Sequence, residues 1–222
     1  KLKKIKTSWI KQKIINAENI DKVIEIFENT SNTDYSVAWI DCLQKEKNIG
    51  RSLVILGEHA DIDDLPNKIK SKPFNYLKRY KFRIPFNFPD WFLNYKVVSL
   101  FNKFYYFKNK NKTNIKLVDF DSYFYPLDKI IDWNKIYGKK GFAQFQCVIP
   151  ISNSKIALKE LLYAISNSNC SSFLSVLKKF GTQNSLFSFP LAGYTLALDF
   201  PINKNTLNLM TKLDEITLKY KG

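Results

Sequence analysis

The segment GFAQFQCVIP, residues 141–150, decides how the rest of the chain can be arranged. Side chains alternate between the two faces of a β-strand, so Gln144 and Gln146 share one face while Phe145 and Ile149 share the other. Phe142–Pro150 is therefore predicted to be a strand with one apolar face and two amides about 7 Å apart on its other face. Amides at that spacing can bind a planar polar ring or a sugar, and a merely solvated face is the alternative.

Six more strands are predicted from β-branched and aromatic residues that lie between turn signals. They are Thr7–Ile15, Tyr35–Cys42, Arg51–Glu58, Val118–Tyr125, Phe173–Phe180 and Gly193–Phe200. The second and third of these are joined by a polar loop that ends in Gly50, which indicates a hairpin.

Three longer helices are predicted from apolar residues that recur at helical spacing. They cover residues 19–28, residues 154–165 and the stretch from Leu207 to Leu218. The first begins at Asn19, a residue type that favours helix N-caps. A short helix over Asp132–Tyr137 is expected to end at Gly138.

Three stretches have a less definite pattern. Residues 61–92 contain four prolines and many aromatic residues, which predicts irregular structure that is either functional or mobile. Residues 94–107 contain no breaker and fit either a helix or a strand. The Asn and Lys cluster at residues 108–114 predicts an exposed turn.

The order of the elements predicts an α+β fold. Strands without regular βαβ alternation favour a broad antiparallel sheet with helices packed mainly on one face. With 222 residues, the chain can bury one sizeable core, so a single globular domain is expected over residues 1–222. No apolar run long enough to span a bilayer occurs, and the basic opening Lys1–Lys6 leads into no signal core, so we expect a soluble, cytoplasmic protein.

The net charge of +15 raises the question of a nucleic-acid or membrane partner. Clustered Lys and Arg favour nucleic-acid binding, but arginine occurs only at Arg51, Arg79 and Arg83, and the lysines are spread along the chain. A nucleic-acid partner is therefore not expected. A weak attraction to anionic membrane surfaces needs only positive charge near the lipid, so a peripheral membrane association fits the composition better.

The residues needed for a metal site or for common hydrolase chemistry are missing from the sequence. Cys42, Cys147 and Cys170 lie far apart, and His59 is the single histidine, so neither a metal site nor a disulfide framework is predicted. Buried free thiols in a reducing compartment are expected instead. No Gly-rich nucleotide loop, GxSxG or HExxH motif occurs, so any nucleotide cofactor must be bound mainly by something else.

Polar residues also occur inside the other predicted strands. Lys178 and Phe180 share a face of SSFLSVLKKF, with Lys179 turned away, and this pair suits a phosphate or a hydroxyl-rich ligand or else is surface decoration. Trp39, taken alone, is more typical of a core. Asp199 is predicted to have a structural role at the end of its strand.

Five segments taken in order resemble the decaprenylphosphoryl-β-D-ribose oxidase family: YSVAWIDCL, GRSLVILGEHA, YFYPLDKIIDWNKIYGKKGFAQFQCVIP, FLSVLKKFG and SFPLAGYTLALDFPI. The resemblance runs from about Thr7 to Gly222 with near-identical spacing. Its most specific part is the gap-free pattern YPLD-x3-DWN-x2-YG-x2-GF-x-QFQ, which starts at Tyr125.

This resemblance implies a vanillyl-alcohol-oxidase-like flavoenzyme. In such enzymes an N-terminal domain binds most of the FAD, and a second domain with a broad antiparallel sheet covers the isoalloxazine and holds the substrate. The chain resembles only this second, substrate-binding domain. The implied reaction oxidises the ribose 2-hydroxyl of a polyprenyl-phosphate sugar to a ketone, which a separate NADH-dependent reductase then reduces to the arabinose epimer.

The family's positions that face substrate or flavin correspond here to Gln144, Gln146, Lys178, Phe180, Trp39, Thr195, Ala197, Phe124 and Tyr125. By the resemblance, the two glutamines would face flavin and substrate, the lysine and Phe180 would line the pocket, and the tryptophan would form part of its wall. Thr195 and Ala197 would lie on the strand nearest the ring, where some members carry Asn and Cys. Phe124 stands where the family usually has a tyrosine, and Tyr125 follows it. Whether a tyrosine hydroxyl acts at this position is therefore open.

Relatives in this family continue past the glycine that matches Gly222 into a strand with a Tyr-x-Ala-Lys-Asp motif, which brings a tyrosine and a flavin-proximal lysine. We expect this strand and the FAD-binding domain to lie outside the chain, and no catalytic residue is assigned within it. Oxidases of aldonolactones and other alditols share the architecture. A lipid-binding or glycan-binding module without flavin chemistry is the rival from another class.

Residues 1–222 produced alone are expected neither to bind FAD tightly nor to turn over, because the resemblance assigns most FAD contacts to the other domain. The measurement is the visible absorption spectrum of the purified chain after incubation with FAD and gel filtration. Stoichiometric retained FAD would contradict this expectation.

Overall fold

A computed structural model shows that the fold is built on a seven-stranded antiparallel sheet. The structure describes residues 4–75, 80–109, 115–183, 186 and 191–222. The strands of the sheet are β1 (Trp9–Ala17), β2 (Tyr35–Ile40), β3 (Ser52–His59), β5 (Lys116–Asp119), β7 (Phe142–Pro150), β8 (Leu174–Phe180) and β9 (Gly193–Pro201). They are ordered β5, β1, β3, β2, β8, β9, β7. Two short strands, β4 (Phe82–Arg83) and β6 (Ile130–Ile131), form a separate parallel pair.

Three longer helices pack on one face of this sheet, and a fourth lies on the other. The helices are α1 (Ile20–Asn29), α2 (Asn67–Lys70), α3 (Tyr95–Asn109), α4 (Phe120–Phe124), α5 (Ile151–Asn167) and α6 (Lys204–Lys219). Helices α1, α5 and α6 share one apolar cluster with β1, β2, β3, β7, β8 and β9. Helix α3 packs against Trp39 and Leu53, whose side chains point to the opposite face. The predicted α+β fold, with an antiparallel sheet and helices mainly on one face, is confirmed.

The main core lies between the sheet and α5. Leu158, Leu161 and Leu162 of α5 are fully buried in one cluster with Val54 and Leu196 of the sheet. Each side chain of this size contributes about 1.5–3 kcal/mol when it is fully buried. This face of the sheet is therefore occupied by packing, and any exposed site has to lie elsewhere.

Several predicted elements occur close to where they were expected. Strand β7 has the predicted bounds, and α1 begins after Asn19, whose side chain accepts a hydrogen bond from the Lys22 amide at 3.0 Å. The short helix at Trp133–Tyr137 is a 3₁₀ helix that ends at Gly138, where φ is +78°. The prediction of a short helix closed by this glycine is confirmed.

The prediction of one strand over Val118–Tyr125 is wrong. Strand β5 ends at Asp119, and the chain turns at once into α4. The Asp119 carboxylate accepts hydrogen bonds from the amide and the hydroxyl of Ser122, at 3.0 and 2.7 Å. A capping aspartate offers the backbone an alternative to the sheet ladder, which explains why the strand stops there.

The three less definite stretches are now resolved in part. Residues 61–92 are mostly irregular, as their prolines predict, although residues 76–79 lie outside the described part of the chain. The ambiguous stretch at 94–107 is the helix α3. Residues 110–114 of the predicted exposed turn are not described, and α3 includes the two residues before them.

Two other observations bear on the chemistry available to the chain. The three cysteines are free and buried, as predicted. Among the described helices, none is both long enough and apolar enough to cross a bilayer.

A buried charge network holds α3 against the sheet. The Asp41 carboxylate is fully buried and accepts hydrogen bonds from Arg51 at 2.9 and 3.1 Å and from the Asn102 amide of α3 at 2.8 Å. The Leu43 backbone amide also donates to it, at 3.2 Å. The guanidinium of Arg51 lies 4.7 Å from the ring centroid of Tyr106, which adds a cation–π contact from the same helix. The contacts of Asn102 and Tyr106 tie α3 to Asp41, just after β2, and to Arg51, just before β3.

Removing Arg51 should destabilise the fold strongly, because the buried Asp41 carboxylate would lose its charge partner. Arg51→Ala is expected to lower the free energy of unfolding by about 3–5 kcal/mol, measured by denaturant unfolding. The matched control is Arg83→Ala, since Arg83 pairs with Asp132 at 3.9 Å with its own side chain 67% exposed. That change should cost at most about 1 kcal/mol, and equal losses for the two variants would contradict the anchoring role.

Candidate functional site

The sheet face away from the main core carries most of the residues expected at a site. Gln146 pairs with Ala197 across β7 and β9, and Trp39 lies in the same cross-strand row. Lys178 of β8 pairs with Thr195 of β9. Because the side chains of a cross-strand pair lie on the same face, the register brings these five residues to one face of the sheet, where Gln146 and Lys178 are exposed and Trp39 and Thr195 are buried.

Gln144 extends this surface and is held by a buried carboxylate. Its Nε2 donates a hydrogen bond of 2.7 Å to Oδ1 of Asp199, the residue opposite it on β9. When Asp199 is ionised, its carboxylate only accepts hydrogen bonds, so the amide turns its NH₂ group toward Asp199. The carbonyl oxygen of Gln144 is thereby left to accept a hydrogen bond from a ligand.

Gln146 is oriented less strictly than Gln144. Its Nε2 donates to the Thr195 hydroxyl at 3.1 Å. A hydroxyl both donates and accepts, so this contact permits either orientation of the Gln146 amide. The two glutamines thus differ: Gln144 presents a fixed acceptor, and Gln146 can adapt to its ligand.

Burial perturbs the two acidic groups beside Gln144. The pKa of Asp199 is raised by burial, and the hydrogen bond from Gln144 opposes part of that rise. Burial, and secondarily the negative charge of Asp199, raise the pKa of Tyr137. Tyr137 therefore remains a neutral phenol at physiological pH, buried next to the carboxyl group that orients Gln144.

An open cavity of about 550 Å³ lies next to this polar surface. It is formed between the start of β2, the helix α4 and the end of β8. Of the expected residues, Lys178, Phe180 and Phe124 line it. Lys178 belongs to both regions, because it lines the cavity and also pairs with Thr195 on the polar surface.

The neighbouring lysines of β8 point in opposite directions, as their alternation predicts. Lys179 lies on the core side, where its Nζ is 2.5 Å from the carboxylate of Glu28 in α1. Lys178 is exposed and makes no ion pair with the described residues. Its ammonium group is therefore available for a ligand in the cavity.

Two tyrosines that the sequence analysis did not identify form part of the cavity wall. Tyr35 and Tyr123 line the cavity, and the Tyr35 hydroxyl lies 3.2 Å from Nε2 of His59. Nδ1 of His59 lies 3.0 Å from the Thr7 carbonyl, which can only accept, so Nδ1 carries a proton. In neutral His59, Nε2 then accepts from Tyr35. The spacing of Tyr35 and Trp39 in YSVAWI, four residues apart on one strand face, was the available signal.

A glycine on β3 makes room for this wall. The ring of Tyr123 lies against Gly57, where an added Cβ would come 2.5 Å from the ring carbon Cζ. The Tyr123 hydroxyl donates to the Tyr35 carbonyl at 3.3 Å. Helix α4 is thus seated directly on the sheet, at the position that Gly57 leaves open.

The expected pair Phe124 and Tyr125 is separated by this arrangement. Phe124 packs edge-on against Tyr35, with ring centroids 4.9 Å apart, and lines the cavity. Tyr125 is half-exposed and contacts Phe124, but it does not line the cavity. The described residues contain no cluster of His, Cys, Asp and Glu side chains that could ligate a metal.

Comparison with curated proteins identifies a relative that extends over nearly the whole chain. A decaprenylphosphoryl-β-D-ribose oxidase of Mycolicibacterium smegmatis is 31% identical over 207 residues, which is 92% of this chain. The chain is a relative of the decaprenylphosphoryl-β-D-ribose oxidases. The family resemblance predicted from its motifs is thereby confirmed.

The match to this oxidase covers only part of the relative. The chain spans 45% of the length of the M. smegmatis protein. No protein-family profile matches the chain. Solved structures of berberine bridge enzyme variants, one of them a reticuline dehydrogenase, align with 13% identity and TM-scores of 0.44 and 0.46, over 96% of this chain and 41% of theirs.

The raised pKa of Asp199 makes a prediction about stability and pH. A raised carboxyl pKa means that the folded chain holds this proton more tightly than the unfolded chain. The stabilisation is complete below the ordinary carboxyl range near about 4 and is lost as the pH rises through the folded-state pKa. Relative to Asp199→Asn, the wild-type protein should therefore lose stability as the pH rises, measured by denaturant unfolding at a series of pH values.

Gln144→Leu provides the companion measurement on the same carboxyl group. Without the amide donor, the pKa of Asp199 should rise further, so the loss of stability should extend to higher pH than in the wild-type protein. If wild type and Asp199→Asn show the same pH dependence, the buried carboxyl is not the titrating group.

Proposed function

We propose that this chain is the substrate-binding part of an FAD-dependent oxidoreductase that oxidises a sugar hydroxyl. The observation that carries the proposal is that Gln144, Gln146 and Lys178 share one exposed sheet face beside an open cavity. The relationship to a decaprenylphosphoryl-β-D-ribose oxidase supports it, since the quoted motifs of that resemblance contain these three residues.

The polar surface fits a flat heteroaromatic ring such as the isoalloxazine of FAD. Gln144 and Gln146 are exposed, whereas Phe145 between them is buried on the core side. The residue opposite Gln146 on β9 is Ala197, whose small side chain leaves space above this part of the sheet. A bound flavin would supply the hydride acceptor for the carbon that carries the substrate hydroxyl. Gln144 would then offer its fixed carbonyl oxygen to an N–H donor on the ring edge.

The cavity residues suit a phosphorylated or hydroxyl-rich substrate. Lys178 offers a compact positive charge with three donors, which binds phosphate oxygens or sugar hydroxyls. Phe180 and Phe124 provide apolar walls on either side of it. The hydroxyl of Tyr35 is hydrogen-bonded to Nε2 of His59, and this contact holds Tyr35 in the cavity wall.

The more specific scheme is that the substrate is a polyprenyl-phosphate ribose. Its C2 hydroxyl is oxidised to a ketone, and a separate NADH-dependent reductase completes an epimerisation. We propose that FAD is held mainly by a part of the protein outside this chain. The protein is proposed to act in the cytoplasm, at the periphery of a membrane.

The role of Lys178 can be tested on the intact protein with FAD bound. Lys178→Met should lower kcat/KM for flavin reduction by a polyprenyl-phosphate ribose roughly 10- to 100-fold, the effect of losing one hydrogen bond to a charged group. Anaerobic stopped-flow absorption of the flavin measures this rate. The matched control is Lys47→Met, which removes the same charge from an exposed position that does not line the cavity.

The control variant should retain its flavin-reduction rate, because Lys47 lies outside the cavity. Equal rates for Lys178→Met and wild type would count against the cavity as the substrate site. A free aldonolactone that reduces the flavin faster than the lipid-linked sugar would favour the alditol-oxidase alternative. An intact protein without flavin absorption would favour a binding module.

A further inference from the structure

We infer that the outer face of α3 is a docking surface for an anionic lipid bilayer. The outer face is defined by Lys96, Leu100, Lys103, Phe104, Phe107 and Lys108. This inference rests on the membrane association in the proposed function and specifies its site, but it does not depend on the flavin chemistry.

The exposed residues of α3 recur at helical spacing. Leu100, Phe104 and Phe107 follow one another at intervals of four and three residues, which places them along one side of the helix. Their side chains are 70%, 63% and 57% exposed. Large apolar side chains exposed side by side are unusual on a protein surface that contacts only water.

Lysines border this apolar row and supply positive charge, which anionic lipid head groups attract. Lys96, Lys103 and Lys108 are exposed on the same side of α3. The ammonium of Lys108 lies 5.6 Å from the ring centroid of Phe104, so the basic and aromatic groups are interleaved. A helix with lysines beside aromatic and leucine side chains is typical of segments that lie in a membrane interface.

Acidic residues are almost absent from this part of the chain. Residues 80–109 contain five basic residues and one acidic residue, Asp90. Asp90 is paired with Lys140 at 3.4 Å. No carboxylate of α3 itself would repel an anionic surface, since the helix has none. The charge of this segment therefore complements anionic lipid better than another protein surface of mixed charge.

The opposite side of α3 is fully engaged by the fold. Val98, Asn102 and Tyr106 are buried, and Asn102 contacts the buried Asp41 carboxylate. Tyr105 packs on Trp39 with ring centroids 4.8 Å apart. The helix is thus fixed on the sheet face that carries the candidate site, and its outer face points away from the sheet.

The segment leading into α3 has the same character. Its large exposed side chains are Tyr80, Phe82, Phe86 and Trp91. Of these, Tyr80 and Trp91 have a polar tip, and such aromatic residues are favoured at the boundary between head groups and acyl chains.

The test is flotation of the intact protein with vesicles. One set is made of phosphatidylcholine alone and the other of phosphatidylcholine mixed with phosphatidylglycerol. The wild-type protein should float with the mixed vesicles and much less with the neutral ones. Lys96→Gln combined with Lys103→Gln and Lys108→Gln should lower the partition constant onto mixed vesicles roughly 100-fold, from three lysines near an anionic surface.

Two matched controls separate this surface from general charge and general hydrophobicity. Lys47→Gln combined with Lys204→Gln and Lys212→Gln removes the same charge from other exposed positions and should change binding several-fold at most. Leu100→Gln with Phe104→Gln should reduce vesicle binding. The companion pair Ile156→Gln with Tyr163→Gln, at similarly exposed positions of α5, should not.

Several outcomes would overturn the inference. The first is equal binding of the protein to both vesicle types. The second is an equal loss of vesicle binding in the lysine variant and in its charge control. The third is that α3 mediates a dimer of the protein and not vesicle binding. Unchanged vesicle binding in the α3 variants would also overturn it, because the vesicles would then be bound by another surface.

Flavin reduction by a water-soluble, short-chain polyprenyl-phosphate ribose distinguishes this inference from the proposed function. The α3 variants should reduce flavin at the wild-type rate while losing vesicle binding. If vesicle binding depends on α3 but no sugar reduces the flavin, the inference stands and the proposed reaction fails. If the flavin is reduced but vesicle binding is unchanged in the α3 variants, the proposed reaction stands and the inference fails.

Discussion

The pairing of β7 with β9 determines what each face of the sheet presents. Nine consecutive pairs run from Phe142 opposite Pro201 to Pro150 opposite Gly193. A side chain at Gly193 would collide with the carbonyl oxygen of Ile149, so the strands approach closely only because this position is glycine. Strand side chains have a period of two, and a slip of one residue would exchange the core face with the polar face. The core and the candidate site therefore depend on the same register.

A second constraint acts through the buried charge of Asp41. A carboxylate in the interior is costly unless its oxygens are paired and hydrogen-bonded. Here the partners are Arg51, just before β3, and Asn102 of α3, so satisfying one charge also fixes the position of a helix. Helix α3 consequently stays on the face that carries Trp39 and the candidate site, although three other helices pack on the opposite face.

Much of this arrangement could be predicted from local pattern, and the failures have identifiable causes. The bounds of β7 and the opposite directions of Lys178 and Lys179 follow from period-two alternation alone. The predicted strand ran past the end of β5 because strand propensity depends on residue type alone. The strand is ended by a side-chain contact, the hydrogen bond from the Ser122 amide to the Asp119 carboxylate. Long aromatic stretches such as 94–107 carry no decisive period, so only tertiary packing shows that α3 is a helix.

The candidate site was predictable only in part, for a different reason. Alternation indicates which residues of one strand share a face, but it does not indicate which strands are neighbours. Strand β8 pairs with β2 across more than a hundred residues of sequence, and this pairing brings Lys178 near Tyr35. The contact between Tyr35 and His59, and the seat of Tyr123 on Gly57, likewise join distant segments. The role of Asp199 in orienting Gln144 required the cross-strand register itself.

Because the core residues and the candidate-site residues lie on opposite faces of the sheet, substitutions in the site need not disturb the core. Residues that hold the fold together, such as Leu161 and Leu196, lie on one side, and Thr195 and Ala197 point to the other from the same strand β9. New side chains at these two positions would reshape the polar surface while the leucine packing beneath stays the same. The ligand specificity of such a protein could therefore change during evolution while its hydrophobic core stays the same.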